Sequence, residues 1–243
     1  MEDGLRTGDV LLLSCPFTPA SVAGTSRFFV SVRWPWWKAD PETEWIRWNG
    51  DVALARSPGN VDWEREFFRT DPAADGLRHG DACRVGIPPT LVHVVDVRHF
   101  DPPLVTGRLP RPRTHVVVLP EGQSYDPTCD EQGYEIDPDD DIPIRLDPVF
   151  RPYPFLDIGD ELADSDGRAW RFDGPWDWYA FDRRAPDTPA WPLTLLTRSG
   201  APAPNAADVV ARATSLSEHD GELARWKAMT QAEPTRLQVP ESA

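Results

Sequence analysis

Residues 91–119 read LVHVVDVRHFDPPLVTGRLPRPRTHVVVL and contain two runs rich in valine and leucine. The runs, residues 91–100 and 114–119, have the length and β-branched content that are typical of strands. The residues between them, 101–113, carry prolines that cannot take part in a regular strand ladder. We therefore expect two apolar strands joined by a proline- and arginine-bearing loop.

A similar strand pattern lies nearer the N terminus, in residues 27–37 (RFFVSVRWPWW). One face of this segment carries four apolar residues: Phe28, Val30, Val32 and Trp34. Ser31 and Arg33 fall on the opposite face, because successive side chains of a strand alternate. This alternation predicts a half-buried strand.

Dipeptides that are typical of tight turns separate further strand-like runs. Asn49-Gly50 lies between residues 45–48 and 51–56, and both of its positions tolerate the positive φ that a hairpin turn needs. Later in the chain, the turn dipeptides Asp166-Gly167 and Gly174-Pro175 separate three apolar runs, residues 158–163, 168–172 and 176–182.

Helical spacing of apolar residues occurs only near the C terminus, and the 27 prolines forbid long helices over most of the chain. Asn205 is expected to cap one helix, and residues 218–231 to form a second. We predict a mainly β fold, with an antiparallel barrel-like domain over residues 1–200 and a helical C-terminal appendage over residues 201–243.

Composition and charge exclude several functional classes. The 243 residues are 40% hydrophobic and include eleven tryptophans, so the chain can bury a substantial core. A net charge of −15 argues against binding to a nucleic acid polymer or to an anionic membrane. The apolar run at residues 10–13 is too short for a signal peptide, and no segment approaches a membrane span. We expect a cytoplasmic protein, and the sequence leaves its oligomeric state open.

The acidic segment, residues 121–147, contains ten carboxylates and one basic residue, Arg145. Such a density is costly unless solvent or a hard cation screens it. Ile136 and Ile142 flank part of this segment and could anchor it to the core. The four aspartates between them are the candidate ligands for Mg²⁺ or Mn²⁺: Asp137, Asp139, Asp140 and Asp141.

A basic island precedes the acidic segment and consists of Arg108, Arg111 and Arg113, which are stiffened by intervening prolines. Guanidinium groups match phosphate oxygens, so these arginines are candidate substrate ligands. Carboxylates for metal and arginines for phosphate are what a phosphoryl-hydrolysing site needs. The alternative is a solvated acidic loop beside an ordinary basic one.

Three histidines form a second candidate constellation. By parity His93 and His99 share one face of a strand, and His115 begins the expected partner strand. Such a cluster could bind zinc or supply a base, and the alternative is that local hydrogen bonds satisfy each ring.

Residues 168–186 (RAWRFDGPWDWYAFDRRAP) contain an aromatic run ending in Trp178-Tyr179, followed by Asp182 and Pro186. This segment resembles the aromatic strand of the FomD-like bacterial nucleoside di- and triphosphatases, in which a proline follows the strand. The resemblance implies a small antiparallel barrel that binds divalent metal through Asp and Glu side chains.

Together these features predict a metal-dependent phosphatase that acts on a small phosphorylated molecule, with a nucleoside di- or triphosphate as the expected substrate. Trp178 and Tyr179 are candidates to stack on the base, and Asp182, which precedes Arg183 and Arg184, is the candidate catalytic carboxylate. The alternative function is a non-catalytic β-rich module that binds a protein or carbohydrate partner.

Overall fold

The computed structural model describes residues 4–33, 36, 38–43, 51–56, 67–126, 129, 132–184 and 188–231. It confirms the predicted fold class, with 42% of residues in strands and 14% in helices. The main element is a curled, half-barrel antiparallel sheet, and a short helical segment follows near the C terminus.

The strands and helices follow one another along the chain in a simple order. The strands are β1 (Val10–Thr25), β2 (Phe29–Arg33), β3 (Lys38–Ala39), β4 (Asp51–Ala55), β5 (Arg69–Asp71), β6 (Ala82–His99), β7 (Arg108–Leu109), β8 (Thr114–Pro120), β9 (Tyr134–Ile136), β10 (Arg145–Phe150), β11 (Glu161–Ala163), β12 (Ala169–Gly174), β13 (Asp177–Ala180) and β14 (Thr194–Thr197). The helices are α1 (Pro204–Leu216) and α2 (His219–Thr230).

Within the described residues, the large sheet has eight strands, in the order β4-β2-β1-β6-β8-β9, with β10 paired to β1 and β5 paired to β6. Its two longest strands, β1 and β6, shift register between Leu13 and Cys15 and again between Cys15 and Thr18. Such irregularities bend a strand and increase its twist, so they let one sheet curl around its own core. Gly86 sits at this bend, where a Cβ would come within 2.8 Å of the Cys15 carbonyl oxygen.

The predicted strands lie in this sheet. Residues 91–99 of the first predicted run lie in β6, which ends one residue before Phe100, and residues 114–119 lie in β8; the two strands pair from Val92↔Pro120 to His99↔Thr114. In β2 the side chains of Val30 and Val32 are fully buried, as the alternation predicts.

Some predictions for this part of the chain are wrong or lie outside the described residues. Phe28 precedes β2 and is exposed, so it does not share the buried face. Trp34, residues 45–48 and the Asn49-Gly50 turn lie outside the part of the chain that the structure describes.

A second, four-stranded antiparallel sheet has the order β13-β12-β11-β14 and its own aromatic core. As predicted, the Asp166-Gly167 turn joins two paired strands, β11 and β12. Leu162 of β11 lies opposite Trp170 of β12. Helix α1 packs on β14 and buries Val210 in this core. The division into domains at residue 200 remains a prediction.

The C-terminal helices differ from prediction in one detail. Helix α1 begins at Pro204, its N-cap residue is Ala203, and no side chain caps it, so the predicted cap at Asn205 is wrong. Proline is favoured in the first helical turn because its missing N–H has no partner there in any case. Helix α2 docks on the large sheet through Trp226, whose Nε1 donates to the Gly8 carbonyl oxygen at 2.9 Å. Within the described residues, neither helix is long and apolar enough to cross a membrane.

Candidate functional site

The arginine-bearing loop and the acidic segment meet at one end of the large sheet. The loop closes the β6–β8 hairpin, and β9 pairs with β8 so that Ile136 lies opposite Val116. This register places the residues that follow β9 beside the residues that begin β8. We call the resulting group the charged cluster: Lys38, Asp40, Glu42, Arg108, Arg111, Arg113, His115, Glu135, Asp137, Asp139, Asp140 and Asp141.

The centre of the charged cluster is a buried histidine–carboxylate pair. His115 Nε2 lies 3.0 Å from Asp137 Oδ1, and its Nδ1 lies 3.6 Å from Glu135 Oε2. Arg108 approaches the other oxygen of Asp137 at 3.5 Å. Burial raises the pKa of Asp137, while His115 and Arg108 act in the opposite direction. Two groups able to exchange a proton are therefore held in fixed contact.

The three aspartates that follow each interact with a different group. Asp139 accepts a hydrogen bond from the Arg113 backbone N–H at 3.3 Å. Asp140 accepts one from the backbone N–H of Ile142, also at 3.3 Å. Asp141 pairs with Lys38 at 3.0 Å. As expected, the flanking residues anchor the turn in the core of the large sheet: Ile136 and Ile142.

Two of the three arginines are engaged by carboxylates of the same chain. Arg111 donates from Nε to Asp40 at 2.7 Å and from its terminal nitrogen to Glu42 at 2.6 Å. The hydrogen bond from Arg111 lowers the pKa of Asp40, whose side chain is almost fully buried. Arg113 is exposed, and among the described residues no carboxylate pairs with its guanidinium. Of these three arginines, Arg113 is therefore the one whose guanidinium faces solvent without a carboxylate partner among the described residues.

The donor set in this arrangement does not fit a divalent cation. Among the described residues, no group of three or more His, Cys, Asp or Glu side chains is placed to hold a metal ion. Asp137, Asp139 and Asp141 are directed to different partners instead of converging on one point. Mg²⁺ or Mn²⁺ binding by these aspartates would require those partners to be displaced.

The remaining predicted site residues lie on the four-stranded sheet or directly after it: Trp178 and Tyr179 in β13, and Asp182 in the turn that follows. Asp182 accepts two hydrogen bonds from Arg168, at 3.1 and 2.9 Å, and one from the Arg184 backbone at 3.1 Å. Arg168 lowers the pKa of Asp182 through these bonds. Trp178 is buried, and Tyr179 lies under the Arg171 guanidinium. Within the described residues, no hydrogen bond, ion pair or ring contact joins Asp182, Trp178 or Tyr179 to the charged cluster.

Sequence reasoning missed an aromatic pocket of about 280 Å³, to which helix α2 contributes. Its aromatic walls come from three parts of the chain, and we call it the aromatic pocket: Tyr125, Trp176, Trp178, His219 and Trp226, with Lys227 and Gln231 also in its lining. The concentration of tryptophan at residues 176–178, with Trp226 in a run of apolar residues at helical spacing, was the only signal in the sequence.

His93 lies behind this pocket, in edge-to-face contact with Trp176 and Trp226. Its side chain is fully buried, and neither ring nitrogen has a hydrogen-bond partner in the described structure. Burial lowers its pKa to about 4. The register of β6 shifts between Val94 and the next paired residue, which places His93 and the exposed His99 on opposite faces. The prediction that they share a face is therefore wrong.

No family model, curated protein or solved structure matches this chain. The resemblance to the FomD-like phosphatases therefore remains a prediction, as do the cytoplasmic location and the substrate.

Proposed function

We propose that this protein hydrolyses a phosphate ester or anhydride of a small molecule, preferably a nucleoside di- or triphosphate, at the charged cluster. One observation supports this proposal: the arginine-bearing loop lies against the acidic turn, beside the buried His115–Asp137 pair. Phosphoryl transfer depends mainly on positioning and on neutralising charge, and an arginine beside a proton-accepting group meets both needs.

The proposal assigns separate roles to three residues. Arg113, whose guanidinium faces solvent, binds the phosphate oxygens of the substrate. Glu135 has a side chain that is 53% exposed, so it can take a proton from an attacking water. Arg98, whose Nη1 donates to Glu135 Oε1 at 3.3 Å, keeps the Glu135 carboxylate in place. His115 lies between Glu135 and Asp137.

Binding of Mg²⁺ or Mn²⁺ is a separate proposal that rests on the acidic segment of the sequence. Asp137, Asp139, Asp140 and Asp141 would be the ligands after they exchange their present partners. No step of the reaction is assigned to a metal, because the aspartates do not converge in the structure.

Release of phosphate from a panel of nucleoside di- and triphosphates tests the proposal, with and without Mg²⁺ or Mn²⁺. We expect turnover in the wild type and a loss of at least tenfold in kcat/KM for Glu135→Gln. Arg84→Gln, an exposed residue of β6 outside the charged cluster, is the control and should keep its activity. Undetectable turnover across the panel would reject the proposal.

A second function is favoured by a different observation. Asp40, Glu42, Asp137 and Asp141 are all paired with basic side chains of the same chain, which is the arrangement of a structural network. We propose as the alternative a non-catalytic β-rich module that binds a protein or carbohydrate partner. Turnover that Glu135→Gln does not change, or no turnover at all, would favour this alternative.

A further inference from the structure

We propose that the aromatic pocket binds a flat heteroaromatic small molecule whose edge carries hydrogen-bond acceptors and one negative group. The pocket and the charged cluster share no residue, so this inference stands independently of the proposed hydrolysis.

The walls of the pocket favour a flat, apolar ligand. Tyr125 and Trp176 stack with ring centroids 4.9 Å apart and planes 25° apart. Trp226 tilts against Trp176 at 5.2 Å. A volume of about 280 Å³ is slightly below the usual range of about 300–1,000 Å³ for ligand pockets. The pocket therefore fits one small ring system and is too small for an oligosaccharide or a folded peptide.

Two polar atoms of the lining residues lack partners. Trp178 Nε1 and His219 Nε2 are buried, and neither has a hydrogen-bond partner in the described part of the chain. Buried donors and acceptors are nearly always paired in native proteins, so two adjacent exceptions need an explanation. The two rings are in edge-to-face contact, with centroids 5.9 Å apart. Neither atom is accessible in the present arrangement, so a bound molecule supplies partners to both once the two rings turn toward the pocket.

The character of these atoms defines the edge of the ligand. Trp178 Nε1 can only donate a hydrogen bond. His219 Nδ1 lies 3.1 Å from the Tyr153 hydroxyl, and when that hydroxyl donates, Nε2 carries the proton and also donates. Two donors require acceptors such as a ring nitrogen, a carbonyl or a carboxylate.

Lys227 adds a positive charge to the pocket lining. Among the described residues, no carboxylate forms an ion pair with it. In a chain with a net charge of −15, an unpaired lysine beside an apolar pocket is a place for an anionic substituent. The pocket therefore combines a stacking wall, two donors and one cation.

Isothermal titration calorimetry can test this inference with two probes of similar size. Quinoline-2-carboxylate carries a ring acceptor and a carboxylate, whereas indole is a bicycle with a donor and no acceptor. We expect the wild type to bind quinoline-2-carboxylate at least tenfold more tightly than indole. Equal affinities, or no binding of quinoline-2-carboxylate at millimolar concentration, would overturn the inference.

The variant Trp178→Phe keeps an aromatic ring but removes the donor. We expect it to lose at least tenfold in affinity for quinoline-2-carboxylate. Trp191→Phe is the matched control, because Trp191 also has a buried, unpaired Nε1 but lies outside the pocket lining. Equal effects of the two substitutions would contradict the assignment.

A spectroscopic measurement on the wild type covers the case in which Trp178→Phe fails to fold. Quinoline-2-carboxylate should move the indole N–H proton resonance of Trp178 downfield by hydrogen bonding, and leave that of Trp191 in place. Binding without a change at Trp178 would overturn the proposed contact.

Discussion

The charged cluster and the aromatic pocket differ in whether their buried polar groups have partners within the chain. In the charged cluster, Asp137 and Arg111 find their partners inside the chain. In the aromatic pocket, Trp178 and His219 keep ring nitrogens that are buried and unpaired in the described structure. Pairing stabilises the fold, whereas an unpaired buried group costs stability and is tolerated where a ligand supplies the partner. The charged cluster therefore has more of its polar groups paired than the aromatic pocket does.

The largest expected effect is a loss of stability in acid that comes from His93 behind the pocket. Its pKa falls from 6.5 to about 4 on folding, because burial penalises the charged ring. The penalty is absent above about pH 6.5, where the ring is neutral in both the folded and unfolded states, and it grows as the pH falls towards 4. We expect the free energy of unfolding to drop by about 3 kcal/mol over this window, as measured by urea titration.

Two variants separate His93 from other titrating groups. His93→Leu should remove most of this slope and should also stabilise the protein at pH 7, because two unpaired nitrogens leave the core. His99→Leu, at an exposed site on the same strand, should keep the slope. Asp137 acts in the opposite sense, since its raised pKa gives stability that is lost as the pH rises. An unchanged slope in His93→Leu would show that other groups carry it.

The second prediction compares two arginines of the charged cluster. Arg111→Ala leaves the nearly buried Asp40 without its partner, so it should lower the melting temperature by several degrees. Arg113→Ala removes an exposed guanidinium and should leave the melting temperature unchanged while weakening phosphate binding severalfold. Thermal scans and substrate kinetics on both variants check this contrast.

The third prediction concerns metal at the acidic turn. Because its aspartates already have partners, we expect millimolar Mg²⁺ alone to shift the melting temperature by about 1 °C or less. A larger shift in the wild type that is lost in Asp139→Asn and Asp141→Asn would show that these side chains rearrange to bind the ion. That result would restore the metal site predicted from the sequence.

The smallest expected effect is that of Asp182→Asn. The sequence predicts a loss of most hydrolytic activity in this variant. The bonds from Arg168 and Arg184 instead indicate a structural role at the end of β13, from which we expect turnover within about twofold of the wild type. Phosphate release by the folded variant decides between the two predictions.

Local sequence patterns were enough for much of the fold. The β6–β8 pair, the Asp166-Gly167 turn and helix α2 follow from periodicity and turn chemistry over windows of fewer than about 20 residues. Two predictions failed because a single residue interrupted the regular pattern. Helix α1 begins at Pro204, so Asn205 is not its cap. A register shift after Val94 places His99 on the face opposite His93.

The sequence by itself determined that the chain is mainly β, acidic and supplied with arginines and aspartates of opposite charge in neighbouring segments. Only the tertiary structure decided which charges meet, because Arg111 and Asp40 lie 71 residues apart. The aromatic pocket likewise joins Tyr125, Trp176 and Trp226 from two loops and helix α2. Local periodicity reports which face of an element is apolar, but pairing between distant residues depends on how strands register and pack, and no short window of sequence contains that information.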